Sequence, residues 1–160
     1  MRIWVLRHGE AERQTQYDPD RILTARGTED AKNAGLVLSK FVSNTLQIFA
    51  SPYRRAQQTA QAAALALPHQ NISTVDWLTP DIDPRIVLCS LEQLPQNDFL
   101  LVSHQPLVSA LIGVLIDGDY LAGPPMSPAS LAELELTTVG VGCATLISLR
   151  HAPDFHKAAI

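Results

Sequence analysis

The strongest constraint on this chain lies at its start, where the apolar run Ile3-Trp4-Val5-Leu6 breaks off into Arg7-His8-Gly9-Glu10. A run that short and that apolar reads as a buried strand. It carries a guanidinium and an imidazole to its own carboxyl end, which is where ligands sit in open α/β sheets, and Gly9 there lets backbone come close to a bound group. Two later segments repeat the theme: Phe49-Ala50-Ser51-Pro52-Tyr53-Arg54-Arg55-Ala56-Gln57-Gln58-Thr59 and Leu100-Leu101-Val102-Ser103-His104-Gln105-Pro106. One basic or imidazole group at the end of an apolar run is ordinary. The same break at the ends of three runs is hard to explain as core packing, because buried unpaired charge is costly.

Strand-like runs lie near residues 2–6, 46–50, 72–75, 99–102, 130–136 and 143–149. Helical patterns separate the first four. After Thr24-Ala25-Arg26-Gly27, the residues Ala31, Ala34, Leu38, Phe41 and Val42 recur at helical spacing, and Ala56, Ala60, Ala63 and Leu67 share one face of the run from Arg54 to Leu67. Further helices are predicted from about Asp83 to Leu94 and from about Pro106 to Ile116, with Gln14–Ile22 and Gly118–Pro128 as loops. Strands that alternate with helices imply an α/β fold, a three-layer αβα sandwich on a mainly parallel central sheet, and the last two strand runs form an antiparallel addition at one side.

Residues 1–160 suit one domain, large enough to bury roughly two thirds of the surface that the unfolded chain exposes. With 46% hydrophobic and 18% charged residues and a net charge of −4, the composition is globular and argues against nucleic acid as a partner. Any anion site must therefore be local. No apolar stretch reaches the roughly 20 residues of a membrane span, and no leader pattern is visible, so the expected location is the cytoplasm. Cys89 and Cys143 form no CxxC pair and are expected to be buried thiols.

Two histidines and two arginines around one small volume suit phosphoryl chemistry. Guanidinium forks match phosphoryl oxygens and stay charged, so Arg7 and Arg55 are natural clamps for a dianion. One imidazole, kept neutral by the surrounding positive charge, can attack phosphorus, and the other, if protonated, would stabilise the equatorial oxygens. A metal site built from His8, His104 and Glu10 is disfavoured by the neighbouring arginines, and no phosphate-binding glycine loop with its lysine is present. The reading calls for no cofactor and no metal.

At these motifs the chain resembles the histidine phosphatase, or phosphoglycerate-mutase-like, superfamily. The resemblance implies that His8 is the phospho-accepting nucleophile, Arg7 and Arg55 the clamp, and His104 the second pocket histidine. Arg55 matches the motif better than Arg54, because the motif arginine directly precedes Ala. The likeness narrows to the short bacterial phosphohistidine phosphatases of the SixA type through Met1–Ala11, Arg21-Ile22-Leu23-Thr24 with Gly27, Ser51–Thr59, Leu78-Thr79-Pro80, residues 102–108 and Pro124-Pro125-Met126. It implies Arg21, Gly9 and Ser51 as substrate contacts.

Related sequences that hydrolyse phosphate monoesters carry an acid directly before the Leu-Thr-Pro stretch, where this chain has Trp77. Glu10, Asp76 and Asp81 remain as candidate proton donors. An alkoxide leaving group needs that proton, whereas imidazole departs from phosphohistidine as a neutral base if its other nitrogen is protonated. The chain also has no insertion between Thr59 and His104 that would roof the pocket. The expected activity is therefore protein-histidine phosphatase, removing phosphoryl groups from phosphohistidine on phosphotransfer (signalling or carrier) proteins through phospho-His8, with a general small-molecule phosphomonoesterase as the alternative. The remaining histidines, His69, His151 and His156, are expected at the surface or the C-terminus.

Overall fold

Successive side chains of a strand point to opposite sides, so a strand that is apolar at every position needs cover on both faces. The computed structural model describes residues 1–13, 16–68 and 71–157. Among these, six strands form one sheet: β1 (Arg2–Arg7), β2 (Gln47–Ala50), β3 (Ile72–Thr74), β4 (Phe99–Ser103), β5 (Leu131–Leu136) and β6 (Ala144–Arg150), in the order β3-β2-β4-β1-β5-β6. The first four in that order run parallel, while β5 pairs antiparallel with β1 and β6 with β5. The expected mainly parallel sheet with an antiparallel edge is what forms.

Four helices cover it: α1 (Ala25–Leu38), α2 (Arg54–Ala64), α3 (Pro84–Glu92) and α4 (Leu107–Asp117). Ala34, Val37 and Leu38 of α1 and Ala56, Ala60 and Ala63 of α2 pack with Trp4, Leu6, Leu100 and Val102 from one face of the sheet. Ile3, Val5, Phe99 and Leu101 point the other way and meet Val87, Leu88 and Leu91 of α3 and Leu111 and Ile112 of α4. The result is a three-layer αβα sandwich, and it explains why the inner positions of β1 and β4 are continuously apolar. Local signals set the helix ends. Thr24 Oγ1 accepts the Gly27 N–H at 3.0 Å to cap α1, the Asp83 carboxylate caps α3 through the Arg85 N–H at 2.9 Å, and α4 stops at Gly118 with φ 73°.

Several local expectations change. The first helix ends at Leu38, so Phe41 and Val42 lie beyond it, and Phe41 is exposed beneath the Arg150 guanidinium, 5.2 Å from its ring centroid. Leu67 also lies beyond its helix yet stays buried. Both cysteines are exposed rather than buried. The core face of α3 is taken by Pro84, Val87, Leu88 and Leu91, which turns Cys89 outward, and Cys143 stands in the turn before β6. Trp77 is half-buried against Phe49, ring centroids 5.5 Å apart, and so belongs to the apolar layer around α3 and α4. Of the three histidines outside the motifs, His69 and the side chain of His156 lie outside the described residues. His151 is half-buried, and its Nδ1 lies 2.7 Å from the Ser130 hydroxyl oxygen.

The packing of α1 on α2 makes a sharp test. A Cβ at Gly35 would collide with the carbonyl oxygen of Ala63, so the two backbones touch where only hydrogen fits. Helix propensity alone favours Gly35→Ala by about 1 kcal/mol, whereas overpacking costs about 1–3 kcal/mol. The collision is with rigid backbone and should win. Gly35→Ala is expected to lower the denaturant midpoint of unfolding; a raised midpoint would show that the helices do not approach this closely.

Candidate active site

Register assembles the site. Arg7 of β1 pairs with Ser103 of β4, and Ala50 of β2 pairs with Val102. Each strand therefore runs out at nearly the same level, and the ladder continues one step further through the His8 N–H to the Ser103 carbonyl (2.9 Å) and the Ser51 N–H to the Val102 carbonyl (3.0 Å). The residues that follow, His8, His104 and Ser51, end up side by side. The two imidazoles stand with ring centroids 5.1 Å apart, and His104 Nε2 lies 2.7 Å from Ser51 Oγ. Ser51 is wholly buried, so its contact in this arrangement is with His104.

His8 is prepared as a nucleophile by two contacts. Its Nδ1 is 2.7 Å from the Gly9 carbonyl oxygen, which can only accept, so Nδ1 carries the hydrogen and the lone pair lies on Nε2. The Arg55 Nε–H points at that Nε2 from 3.2 Å. Burial, together with the positive charge of Arg55, Arg7 and Arg21, outweighs the Gly9 hydrogen bond and pulls the His8 pKa down to about 4. The ring is neutral at ordinary pH. The Gly9 N–H donates to Thr59 Oγ1 at 3.0 Å, and Thr59 donates to the Arg55 carbonyl at 2.7 Å, which ties the nucleophile's loop to the first turn of α2. The close approach that Gly9 permits is to the backbone of Gly27, where a Cβ would collide with the carbonyl oxygen.

The clamp comes from three elements. Arg55, on the first turn of α2, is 4% exposed and donates from Nη2 to Asp18 Oδ2 at 3.0 Å and from Nη1 to the Asp18 carbonyl at 2.8 Å. Arg7, at the end of β1, is fixed by Nη1 to the Met126 carbonyl at 2.6 Å, so the loop before β5 also orients it. Arg21 sits at the rim, donating from Nε to the Glu12 carbonyl and from Nη1 to Asp18 Oδ1. Arg54 is exposed, as its register in the motif predicts.

Asp18 is the residue that sequence reasoning missed. It opens a 3-10 turn, Asp18–Asp20, inside a stretch read as an ordinary polar loop, and no local pattern says that this turn folds back onto α2. Burial raises its pKa, but the hydrogen bonds from Arg21 and Arg55 outweigh that and hold the carboxyl below its ordinary range. The carboxylate that touches the clamp is thus ionised and a poor acid. Of the candidate donors, Glu10 accepts from the Thr24 hydroxyl at 3.0 Å, and Asp76 and Asp81 are exposed.

His104 differs from the protonated partner considered from sequence. Burial, reinforced by His8 and Arg55, pulls its pKa down to about 2, so it is neutral. It can still give one N–H. Among the described residues, His104 Nδ1 and Arg7 Nε are buried polar atoms with no hydrogen-bond partner. Such atoms cost about 1–3 kcal/mol each, and both flank the nucleophile. Phosphoryl oxygens would satisfy them.

A neutral imidazole with its Nε2 lone pair facing Arg55, ringed by guanidiniums at the carboxyl ends of the parallel strands, defines a phosphoryl-transfer site on an αβα sandwich. The profile of the histidine phosphatase superfamily (branch 1) matches residues 3–79. The phosphohistidine phosphatase SixA homolog of Haemophilus influenzae is 35% identical over 148 residues, covering 84% of this chain and 87% of that protein. Phosphohistidine phosphatase SixA of Escherichia coli is 29% identical over 148 residues, covering 89% of each. A solved structure of the protein histidine phosphatase SixA complexed with tungstate superposes with a TM-score of 0.86 at 25% identity, covering 96% of this chain and 99% of that one. The chain belongs to the histidine phosphatase superfamily, and within it to the SixA type.

Two buried neutral histidines make stability fall with acid. The unfolded chain takes up their protons near pH 6.5, while folded His8 resists to about 4 and His104 to about 2, so stability rises with pH up to about 6.5. Each histidine is expected to add about 1.4 kcal/mol per pH unit over the window where only the unfolded chain is protonated. Denaturant unfolding between pH 4.5 and 7 should show a shallower slope for His104→Gln than for the wild type. Parallel profiles would contradict the assignment of His104 as neutral.

Proposed function

We propose that this chain is a cytoplasmic protein-histidine phosphatase that removes the phosphoryl group from phosphohistidine on phosphotransfer proteins, through a phospho-His8 intermediate. The observation that carries the reading is the pairing of a neutral His8, its Nε2 facing Arg55, with a clamp carboxylate that is held ionised. A neutral attacking nitrogen beside a carboxylate that cannot donate suits an imidazole leaving group, which needs no proton. Its relatives named above are phosphohistidine phosphatases. Two exposed thiols suit a reducing compartment.

The chemistry follows from the atoms. His8 Nε2 gives its lone pair to phosphorus as the phosphorus–nitrogen bond of the substrate breaks, and that bonding pair stays on the departing imidazole, which leaves neutral if its other nitrogen carries a hydrogen. Positive charge that develops on the His8 ring is eased through Nδ1–H donated to the Gly9 carbonyl. Arg7, Arg55 and His104 hold the equatorial oxygens. Water then attacks phosphorus on phospho-His8, the new bond breaks with its electrons returning to Nε2, and the water proton leaves with orthophosphate or to solvent.

Incubation with a phosphorus-labelled phosphotransfer domain followed by rapid quenching is expected to trap label on the wild-type protein in an acid-labile, alkali-stable form. His8→Ala should remain folded and trap none; label retained in that variant would sink the role of His8. Arg55→Ala is expected to lower kcat/KM by about 10²- to 10³-fold, the scale of losing one donor to a transition-state oxyanion. Arg54→Ala should change it little, and equal losses at the two positions would show that the clamp is misassigned.

Leaving-group dependence separates this reading from a general phosphomonoesterase. Without an acid, phosphohistidine and aryl phosphates should turn over while alkyl phosphates lag by about 10³-fold or more. A flat dependence of kcat/KM on leaving-group pKa, with chemistry rate-limiting, would favour the small-molecule reading.

A further inference from the structure

Arg55 spends its donors in an informative way. The Nε and Nη2 hydrogens of a guanidinium lie parallel along one edge, the fork that fits two oxygens of a phosphoryl group. Here Nε reaches His8 Nε2 at 3.2 Å and Nη2 reaches Asp18 Oδ2 at 3.0 Å. His8 Nε2 and the Asp18 carboxylate therefore occupy the two nitrogens of that fork, while Nη1 donates to the Asp18 carbonyl at 2.8 Å. A phosphoryl group on Nε2 that uses this fork meets the Asp18 carboxylate at Nη2. Two anions at one nitrogen repel, the more so beside a guanidinium that is 4% exposed.

Asp18 is built to yield. Its side chain is 54% exposed, it rides on a single short turn, and its other oxygen is held by Arg21 at 3.1 Å, itself at the rim. The carboxylate can swing outward while Arg21 keeps its charge compensated. In the meantime it keeps the buried Arg55 charge paired, which a bare guanidinium there would not be.

Resting on the phosphoryl-transfer reading of the site, we propose that Asp18 is a binding-site residue whose carboxylate competes with the phosphoryl group for the Arg55 fork, yielding it to substrate and reclaiming it as orthophosphate leaves. Competition of this kind multiplies the intrinsic affinity for an oxyanion that uses the fork by the fraction of time the fork is open. Product orthophosphate then does not linger on a pocket of clustered arginines.

Asp18→Asn tests this, because the amide keeps the size and an acceptor oxygen but removes the charge. Binding of orthophosphate to the full chain, followed by phosphorus NMR or calorimetry, is expected to tighten by about tenfold in Asp18→Asn. Asp20→Asn removes an exposed carboxylate from the same turn and should match the wild type. In the wild type the Asp18 carboxyl, followed by carbon NMR, should titrate at higher pH when orthophosphate is present, since it loses its Arg55 partner. If Asp18 only braces Arg55, Asp18→Asn binds orthophosphate equally or more weakly and the Asp18 titration does not move. Either result overturns the inference while leaving the pocket intact. Equal tightening in Asp20→Asn overturns it as well, by reducing the effect to general charge. Failure of the wild type, Asp18→Asn and Asp20→Asn all to bind orthophosphate would overturn the phosphoryl-site reading and the inference together.

Discussion

Everything at this site depends on the register of β2, β4 and β1. Three parallel strands end within one residue of each other, and side chains alternate between the faces of a sheet with a period of two. A slip of one residue in the β1–β4 pairing would remove the His8 N–H from the Ser103 carbonyl and separate the two imidazoles. The register is held by burial on both faces. Trp4 and Leu100 need the α1–α2 side, Ile3 and Phe99 need the α3–α4 side, and a slip would turn each the wrong way. The apolar core thus positions chemistry that contains no apolar group.

Charge is handled by a different arrangement. Positive side chains cluster at the carboxyl ends of the strands, and Arg55 occupies the first turn of α2, where the helix dipole disfavours a cation. Burial would make that position costly if the charge stood alone. Asp18, reaching in from a separate turn, offsets it and does so with a group that is half in water. The histidines are handled the opposite way: surrounded by guanidiniums and removed from solvent, they stay neutral and supply lone pairs and N–H groups instead of charge. The same arginines that would grip a dianion therefore also set the protonation of the group that attacks it.

Hydrogen bonds to backbone carbonyls complete the arrangement. Gly9 sets the His8 tautomer and Met126 sets Arg7, so the nucleophile and one clamp arm are oriented by main chain rather than by other side chains. Backbone is held by the ladder and by close packing at Gly9 and Gly27, which makes it a stiffer support than a long polar side chain. Asp18 combines both, holding the arm that most directly faces the nucleophile by its carboxylate and by its carbonyl from a short turn.

Much of this protein was legible in the sequence. Apolar runs with helical spacing between them determined the layered sheet, because burial on two faces leaves a chain of this pattern few other folds. The breaks at Arg7-His8, Arg55 and Ser103-His104 marked the pocket, because charge at the end of an apolar run has no place in a core. Tertiary structure alone decided the rest. Asp18 lies 37 residues from Arg55 in a stretch with no apolar period, so nothing local records their contact. Whether Cys89 faced out depended on which side of α3 the core claimed. The neutrality of His104 depended on burial beside another imidazole and two guanidiniums, a sum over neighbours that come together only when the strands do.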